Sequence, residues 1–281
     1  MKKFFLFATA LLMSASMFAE GSVFTYQATA KLERQFKALG TVATHEFNDG
    51  NGKVTYSETV TTIGDMAFAT CTALQSITIP ASVTTIGKMA FYKTGLTSIT
   101  IPAGVTEIGN SVFYGCSALQ SVTIPAGVTT IGKDAFSGCS ALQSITLPAS
   151  VTTLGEEVFM GSGLTSVTIP AGVTTIEGYA LGYCSALASV TFLGNACQDN
   201  IGESAFYNVG NPDPALLTLP DSWTGSKPDE EGNWYEGKFK LNDTALPQMR
   251  AAVKATKVLT NGQVIFRAEN KNFSILGQEV R

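Results

Sequence analysis

The amino-acid sequence predicts a β-rich solenoid of stacked coils, with a parallel sheet on one face and a cap at each end. Three observations support this fold class: a motif of 22–23 residues repeats without gaps, each copy starts with an alternating apolar segment, and turn residues separate the copies. The 27 glycines and 10 prolines of the 281-residue chain supply those turns. A turn-rich scaffold is therefore expected.

The repeat itself occupies the middle of the chain. Its five consecutive copies begin at Thr72, Gly95, Ser117, Ser140 and Gly163, and the last one ends at Cys184. A partial copy precedes them and a distorted copy follows. One copy alone cannot bury its apolar face, so the copies must stack. We assign residues 54–220 to the solenoid.

The first half of each copy is predicted to be a short strand. In residues 117–139, Val122 and Ile124 have the spacing of a strand's inner face, so Ser121 and Thr123 point to solvent. Pro125 ends the strand because proline lacks a backbone N–H.

The second half of each copy returns to the core. Val128 and Ile131 re-enter it, and Gly132 is expected to permit a bend. Ala135 and Phe136 then close the coil, in what we expect to be one helical or 3₁₀ turn.

The motif LxxIxIPxxVxxIGxxAFxxC resembles the bacterial leucine-rich repeats of the BspA-like surface proteins, also known from treponemal repeats. The resemblance covers residues 54 to about 220. It implies a leucine-rich-repeat array on a cell surface, in a family implicated in binding host proteins or other bacteria and without a shared catalytic residue. Glu177 and Leu181 depart from the usual Gly and Phe.

Residues 1–19 are predicted to be a signal peptide. A short basic start precedes an apolar run from Phe4 to Ala15, which is too short for the alternative, a membrane helix. We expect cleavage after Ala19, with cleavage after Ser16 as the alternative. The mature chain is then exported and has no membrane span.

The segments beside the solenoid are expected to cap its open ends. Residues 20–53 form the predicted N-terminal cap; residues 25–39 can be strand or helix, and residues 46–59 indicate a hairpin. Residues 221–245 form the predicted C-terminal cap. Both tryptophans of the chain lie there and are expected to plug the core, the alternative being that they stack on sugar rings.

Residues 246–281 are expected to form a linker and a sorting tail. Alternating apolar residues around Asn261-Gly262 indicate a hairpin. Residues 257–281 are also similar to the C-terminal sorting tails of type IX secretion in Bacteroidetes, through Asn261-Gly262-Gln263, Phe273, Leu276-Gly277-Gln278 and Val280. That resemblance implies passage across the outer membrane, tail removal, and surface attachment or release. An ordinary terminal hairpin is the alternative.

Composition argues against several function classes. With 18 basic and 22 acidic residues the net charge is −4, which gives no basic face for nucleic acid. The single histidine, His45, has no identifiable nucleophile near it and is expected on a solvated strand. A calcium loop around Asp49 is disfavoured because Phe47 would occupy its first ligand position. We expect no catalytic residue, metal or cofactor.

The cysteines point to a structural role. Four of them share one repeat position, where the remaining copies have Thr94 and Ser162. A disulfide can join Cys116 and Cys139, which lie in adjacent coils. The exchange with small hydroxyl residues instead favours a buried ladder of free thiols, and the absence of a CxxC motif disfavours zinc.

The outward strand positions form the candidate binding surface. They carry two uncharged hydroxyl columns, which continue to Ser189 and Thr191 and are assigned to partner binding: Ser76, Thr78, Ser98, Thr100, Ser121, Thr123, Ser144, Thr146, Ser166 and Thr168. Such a uniform surface does not suit a small molecule, which needs varied convergent groups. The expected partner is a protein or glycan on a host or bacterial surface.

The predicted function is therefore adhesion or protein–protein recognition by a secreted protein on the outer-membrane exterior. The alternative is a structural module of the cell envelope whose strand positions are merely solvated. An enzyme is disfavoured because the sequence shows no constellation of acid, base and nucleophile.

Overall fold

The computed structural model describes residues 22–197, 199–209, 213–229, 233–241, 256–260, 263–268, 271–273 and 279–280. Its repeat region forms a β-solenoid of about eight turns with about 23 residues per turn, which confirms the predicted fold class. The expected signal peptide and its cleavage after Ala19 lie outside the described residues, as do residues 242–255 of the expected cap and linker.

The predicted parallel strands form along one face of the solenoid. They are β5 (Leu74–Thr78), β7 (Ser98–Thr100), β9 (Ser121–Thr123), β12 (Ser166–Ile169), β14 (Ser189–Phe192) and β15 (Ala215–Thr218). Strand β7 pairs in parallel with β9, and β12, β14 and β15 pair in parallel in series, whereas β5 pairs with an antiparallel strand of the N-terminal cap. The coil between these two groups has no strand at residues 142–148, so the sheet is interrupted there.

A second set of parallel strands, which the sequence did not reveal, follows in each coil. These two-residue strands are β4 (Thr62–Ile63), β6 (Thr85–Ile86), β8 (Glu107–Ile108), β10 (Thr130–Ile131), β11 (Thr153–Leu154) and β13 (Thr175–Ile176). The order β13-β11-β10-β8 forms one sheet, and β4 pairs with β6. These short strands hold neighbouring coils together at a second place.

The closing segment of each coil is not the expected helical or 3₁₀ turn. Residues 133–138 are turns, in which Asp134 has a φ of 56°. The Phe136 N–H donates to the carbonyl of Val158 in the next coil, 2.8 Å away. This N–H therefore does not form the hydrogen bond of a helical turn. Hydrogen bonds to the next coil thus alternate with local turn bonds, such as that from the Ala135 N–H to the Gly132 carbonyl.

Gly132 lies between β10 and the turns of residues 133–138, and its lack of a side chain serves close packing. A Cβ at this position would lie 2.5 Å from Asn110 Oδ1, whereas the positive φ belongs to Asp134. Glu177, which departs from the glycine of the motif, accepts a hydrogen bond from the Glu156 N–H through Oε2 at 2.9 Å.

A ladder of phenylalanine rings forms the centre of the core. Successive rings stack nearly parallel with centroids 5.3–5.6 Å apart, through Phe68, Phe91, Phe113, Phe136 and Phe159. Leu181 continues the buried row, and an aromatic ring from each cap closes it. Phe36 packs edge-on against Phe68 at 5.3 Å, and Trp234 stacks on Phe206 at 5.2 Å.

The N-terminal cap is a small antiparallel sheet laid against the first coil. It contains β1 (Val23–Ala28), α1 (Glu33–Lys37), β2 (Val42–Asn48) and β3 (Asn51–Tyr56). Strands β2 and β3 form the predicted hairpin, and residues 25–39 supply both a strand and a helix. Strand β1 pairs with β3 and β5, so it covers the open edge of the solenoid. Strand β3 runs across the expected boundary at residues 53 and 54.

His45 is not the solvated residue that was expected. It is half-buried, and a 2.9 Å hydrogen bond joins its Nε2 to the Tyr26 hydroxyl. Its ring also packs edge-on against Phe36, with centroids 5.8 Å apart. The hairpin brings this histidine over the neighbouring strand, where it packs within the cap.

The C-terminal cap continues the solenoid with β16 (Asn233–Trp234) and β17 (Gly237–Leu241), and β17 pairs in parallel with β15. Trp223 and Trp234 are each only 4% exposed, in agreement with the core-plug interpretation. Farther along the chain, β18 (Thr256–Thr260), β19 (Gln263–Ala268), β20 (Lys271–Phe273) and β21 (Glu279–Val280) form a separate antiparallel sheet. Strands β18 and β19 form the hairpin predicted around residues 261–262.

Candidate functional site

The strand face, meaning the outward side of the first strand of each coil, carries the predicted hydroxyl columns in register. Inward residues such as Ile99 are buried, while their hydroxyl neighbours are exposed or, at Ser76, Ser189 and Thr191, half-buried. The paired residues are Ser98 with Ser121, Thr100 with Thr123, Ser166 with Ser189, and Thr168 with Thr191. Strand pairing therefore aligns equivalent hydroxyl groups of neighbouring coils.

Ser144 and Thr146 are exposed, but they lie in the coil that has no strand at this place. The Thr165 N–H still donates to the Gln143 carbonyl at 3.0 Å, so this coil stays hydrogen-bonded to the next. The two residues share the exposure of the columns without the regular strand pairing.

The cap extends the strand face beyond the first coil. Strand β1 pairs Thr25 with Thr78 and Gln27 with Ser76, and the Ser76 hydroxyl donates to Gln27 Oε1 at 3.3 Å. The sequence did not predict that Thr25 and Gln27 belong to the strand face. The alternation of buried and exposed residues in Val23–Ala28 was the available signal, but the pairing partner of that strand was not visible in the sequence.

A cleft of about 480 Å³ lies where the cap meets the first coil. Ser76 and Thr78 form one side of it. Glu46, Lys53 and Asn51 of the hairpin form part of the other. The uniform hydroxyl columns thus give way here to charged and amide groups.

A second depression, of about 660 Å³, continues from the cleft along β5, β7 and β9. It shares Ser76 and Thr78 with the cleft and is also lined by Thr100, Ser121 and Thr123. The two depressions are therefore contiguous. Together they form one groove, which we call the cap groove, along the N-terminal part of the strand face.

The cysteines are buried and their thiols satisfy backbone carbonyls, which confirms the buried-ladder interpretation. Cys116 Sγ donates to the Phe91 carbonyl and Cys184 Sγ to the Phe159 carbonyl, both at 3.0 Å. Burial raises the pKa of the Cys184 thiol to about 11. Thr94 and Ser162 occupy the same position and are also buried. These thiols are therefore core groups and poor nucleophiles.

The described part of the chain shows neither a metal cluster nor a membrane-spanning helix. Within it, no three His, Cys, Asp or Glu side chains are grouped as a metal ion would require. No described helix combines the length and the apolar character needed to cross a bilayer.

The repeat also matches a known family. The model of the BspA type leucine-rich repeat region matches in six copies, over residues 44–162 and 106–213, and so covers more than half of the chain. The chain belongs to the BspA-type leucine-rich-repeat family. The resemblance seen in the repeat motif is thereby confirmed. No curated protein matches the sequence.

Solved structures of other bacterial leucine-rich-repeat proteins are similar to this BspA-type chain. A protein from Bacteroides ovatus ATCC 8483 is 28% identical, with a TM-score of 0.44, over 56% of this chain and 47% of its own. A T. pallidum protein is 23% identical, with a TM-score of 0.38, over 60% and 80%. A cell surface protein of Faecalibacterium prausnitzii A2-165 is 24% identical, with a TM-score of 0.35, over 66% and 72%. The chain spans about half the length of the B. ovatus protein.

Proposed function

We propose that this BspA-type protein mediates adhesion or protein–protein recognition and that its partner docks on the strand face. The cap groove carries this proposal, because it joins hydroxyl, amide and charged groups on a surface held by strand pairing. Sheet faces of solenoids are common binding surfaces. A recognition role needs no catalytic residue, and we assign none.

The chemistry of the cap groove suits a protein or glycan partner on a host or bacterial surface. Each Ser or Thr hydroxyl can both donate and accept a hydrogen bond, so the columns fit either backbone amides or sugar hydroxyls. Tyr26 lines the cleft but is only 3% exposed, so it offers little aromatic area for a strong anchor. We therefore expect weak single contacts that multivalent display strengthens.

The strand-face assignment is tested by placing a charge in the cap groove. Thr123→Lys should abolish partner binding on an array of extracellular-matrix proteins and host glycans, because the lysine projects into the groove. Thr129→Lys is the matched control, since Thr129 is exposed in the same coil but outside the groove. Both variants should unfold at the wild-type temperature.

The outcomes separate the two candidate roles. If Thr123→Lys binds like the wild type, the partner does not use the cap groove. If Thr146→Lys also abolishes binding, the site extends into the coil without a strand. A wild-type chain that binds nothing on the array would favour the structural module of the cell envelope.

We also propose export to the exterior of the outer membrane. The signal-peptide pattern in residues 1–19 and the tail similarity of residues 257–281 support this location. Intact-protein mass spectrometry of surface-shaved and secreted fractions should find a product that begins at Glu20 and has lost its tail. A periplasmic product that keeps Arg281 would contradict the sorting tail.

A further inference from the structure

Three exposed tyrosines form a cluster on the closing turns of two neighbouring coils. Tyr179, Tyr183 and Tyr207 are 37%, 48% and 37% exposed. The ring centroid of Tyr207 lies 5.8 Å from that of Tyr179 and 5.0 Å from that of Tyr183. Desolvation, followed by the interaction with Tyr207, raises the pKa of the Tyr183 phenol. We call these three residues the tyrosine cluster.

The tyrosine cluster arises from a local departure from the repeat. Three of the six other coils carry a larger residue followed by glycine at this place, as in Tyr114-Gly115, whereas this coil has Gly182-Tyr183. A Cβ on Gly182 would lie 3.2 Å from Cδ1 of Tyr179, so the glycine leaves room for that ring. The reversed order thus places an exposed ring at position 183 and leaves the space beside Gly182 to the Tyr179 ring.

Tyr183 adopts a backbone conformation that suits glycine better. Its φ is 57°, and the equivalent glycines at 115, 138 and 161 have φ values of 68°, 71° and 64°. A bulky side chain is uncommon in this left-handed region. The same position is also left-handed in the coils without glycine, at Thr70, Lys93 and Asn208 with φ values of 60°, 51° and 60°. The fold therefore accepts a side chain here, and exchange of Tyr183 for glycine keeps the backbone conformation.

The coils that carry the tyrosine cluster are acidic, and Lys238 of the C-terminal cap lies in the coil that follows them. Residues 134–226 contain eight acidic side chains and no Lys, Arg or His. Glu177 and Glu203, in the same two coils as the cluster, are exposed. A ligand that approaches these rings therefore meets negative charge, which favours a cationic ligand.

We propose that the tyrosine cluster is a second docking surface and that it takes an arginine- or lysine-rich segment of a partner protein. The faces of aromatic rings attract ammonium and guanidinium groups. Exposed tyrosines are also frequent anchors in protein interfaces. The acidic coils raise the rate of encounter with a basic segment. This surface is separate from the cap groove and does not depend on it.

The test uses the full chain and a fluorescent peptide of alternating arginine and glycine. Tyr183→Gly restores the residue found in three other coils, so it should keep or raise the unfolding temperature. It should weaken peptide binding, measured by fluorescence anisotropy, by about tenfold or more. Wild-type binding should weaken as salt is added.

Tyr114→Ser is the matched control. Tyr114 stacks on Tyr92 with ring centroids 5.2 Å apart, and the Lys93 ammonium lies 5.0 Å from the Tyr92 ring centroid. That pair already has its own cation, so the variant should bind the peptide like the wild type. Thr123→Lys should also leave peptide binding unchanged, which separates this surface from the cap groove.

Several results would overturn the proposal. One is wild-type peptide binding by Tyr183→Gly, and another is an equal loss in Tyr114→Ser. A third is equal binding of a peptide with aspartate in place of arginine. Binding of a neutral oligosaccharide without binding of the arginine peptide would show instead a surface that stacks on sugar rings.

Discussion

Removal of one ring from the phenylalanine ladder is expected to destabilise the solenoid strongly. Phe136 is fully buried and stacks between Phe113 at 5.3 Å and Phe159 at 5.6 Å. Phe136→Ala should lower the free energy of unfolding by about 3–5 kcal/mol, the usual loss for a buried phenylalanine. Each stacked pair contributes about 0.5–1.5 kcal/mol beyond area burial, so the upper part of that range is expected.

Urea denaturation followed by two probes measures this loss. Circular dichroism reports on all coils, whereas the fluorescence of Trp223 and Trp234 reports on the C-terminal end. Two probes are needed because repeat arrays can unfold in parts. Phe136→Leu is the control, since Leu181 fills the same position in another coil and is fully buried. It should cost less than about 1.5 kcal/mol.

A loss below about 1 kcal/mol for Phe136→Ala, with an unchanged denaturant slope, would refute the inward assignment of this ring. If Phe136→Ala and Phe136→Leu lower the free energy of unfolding equally, the volume filled by the side chain is not what stabilises the ladder. Either result would contradict the conclusion that the stacked phenylalanine rings stabilise the solenoid.

Three further predictions concern the core and the cap. Gly155→Ala would place a Cβ 2.7 Å from the backbone of the preceding coil and should cost about 1–3 kcal/mol, whereas Gly64→Ala, with open space around it, should melt like the wild type. Burial raises the pKa of the Cys184 thiol from near 9 in the unfolded chain to about 11 in the folded chain. The protonated thiol therefore contributes its full stabilisation below pH 9. About 2–3 kcal/mol should therefore disappear as the pH rises from 9 to 11, and the same titration of Cys184→Ser should show a smaller fall. Trp234→Ala removes the ring stacked on Phe206 and should make the C-terminal coils unfold at lower urea than the rest, as hydrogen exchange would show. Uniform exchange along the chain would contradict that role.

The sequence predicted those parts of the fold that local pattern determines. The repeat period, the inward Val122 and the buried Phe136 all follow from residue spacing within one coil. The thiol ladder followed from the exchange of Cys116 with Thr94 in the neighbouring copy. In each case, comparison of one copy of the repeat with the next was enough to predict the feature.

The features that were missed depend on contacts between distant segments. The two-residue strand at Thr130–Ile131 exists only through pairing with adjacent coils, and the same kind of bond replaces a helical turn at Phe136. Likewise, Thr25 and Gln27 belong to the strand face because β1 pairs with a strand about 50 residues away. Spacing within one segment carries no information about such partners.

The two proposed surfaces rest on different observations. Threonine favours strands, and a repeat copies its residues from coil to coil, so folding is sufficient to account for Thr123 and its equivalents. The groove, and not the hydroxyl columns themselves, is what supports binding there. The left-handed conformation of Tyr183 is also a property of the repeat, because the equivalent residue is glycine in three coils and Thr70, Lys93 or Asn208 in others. What supports binding at the tyrosine cluster is the exposure of its three neighbouring rings in acidic coils.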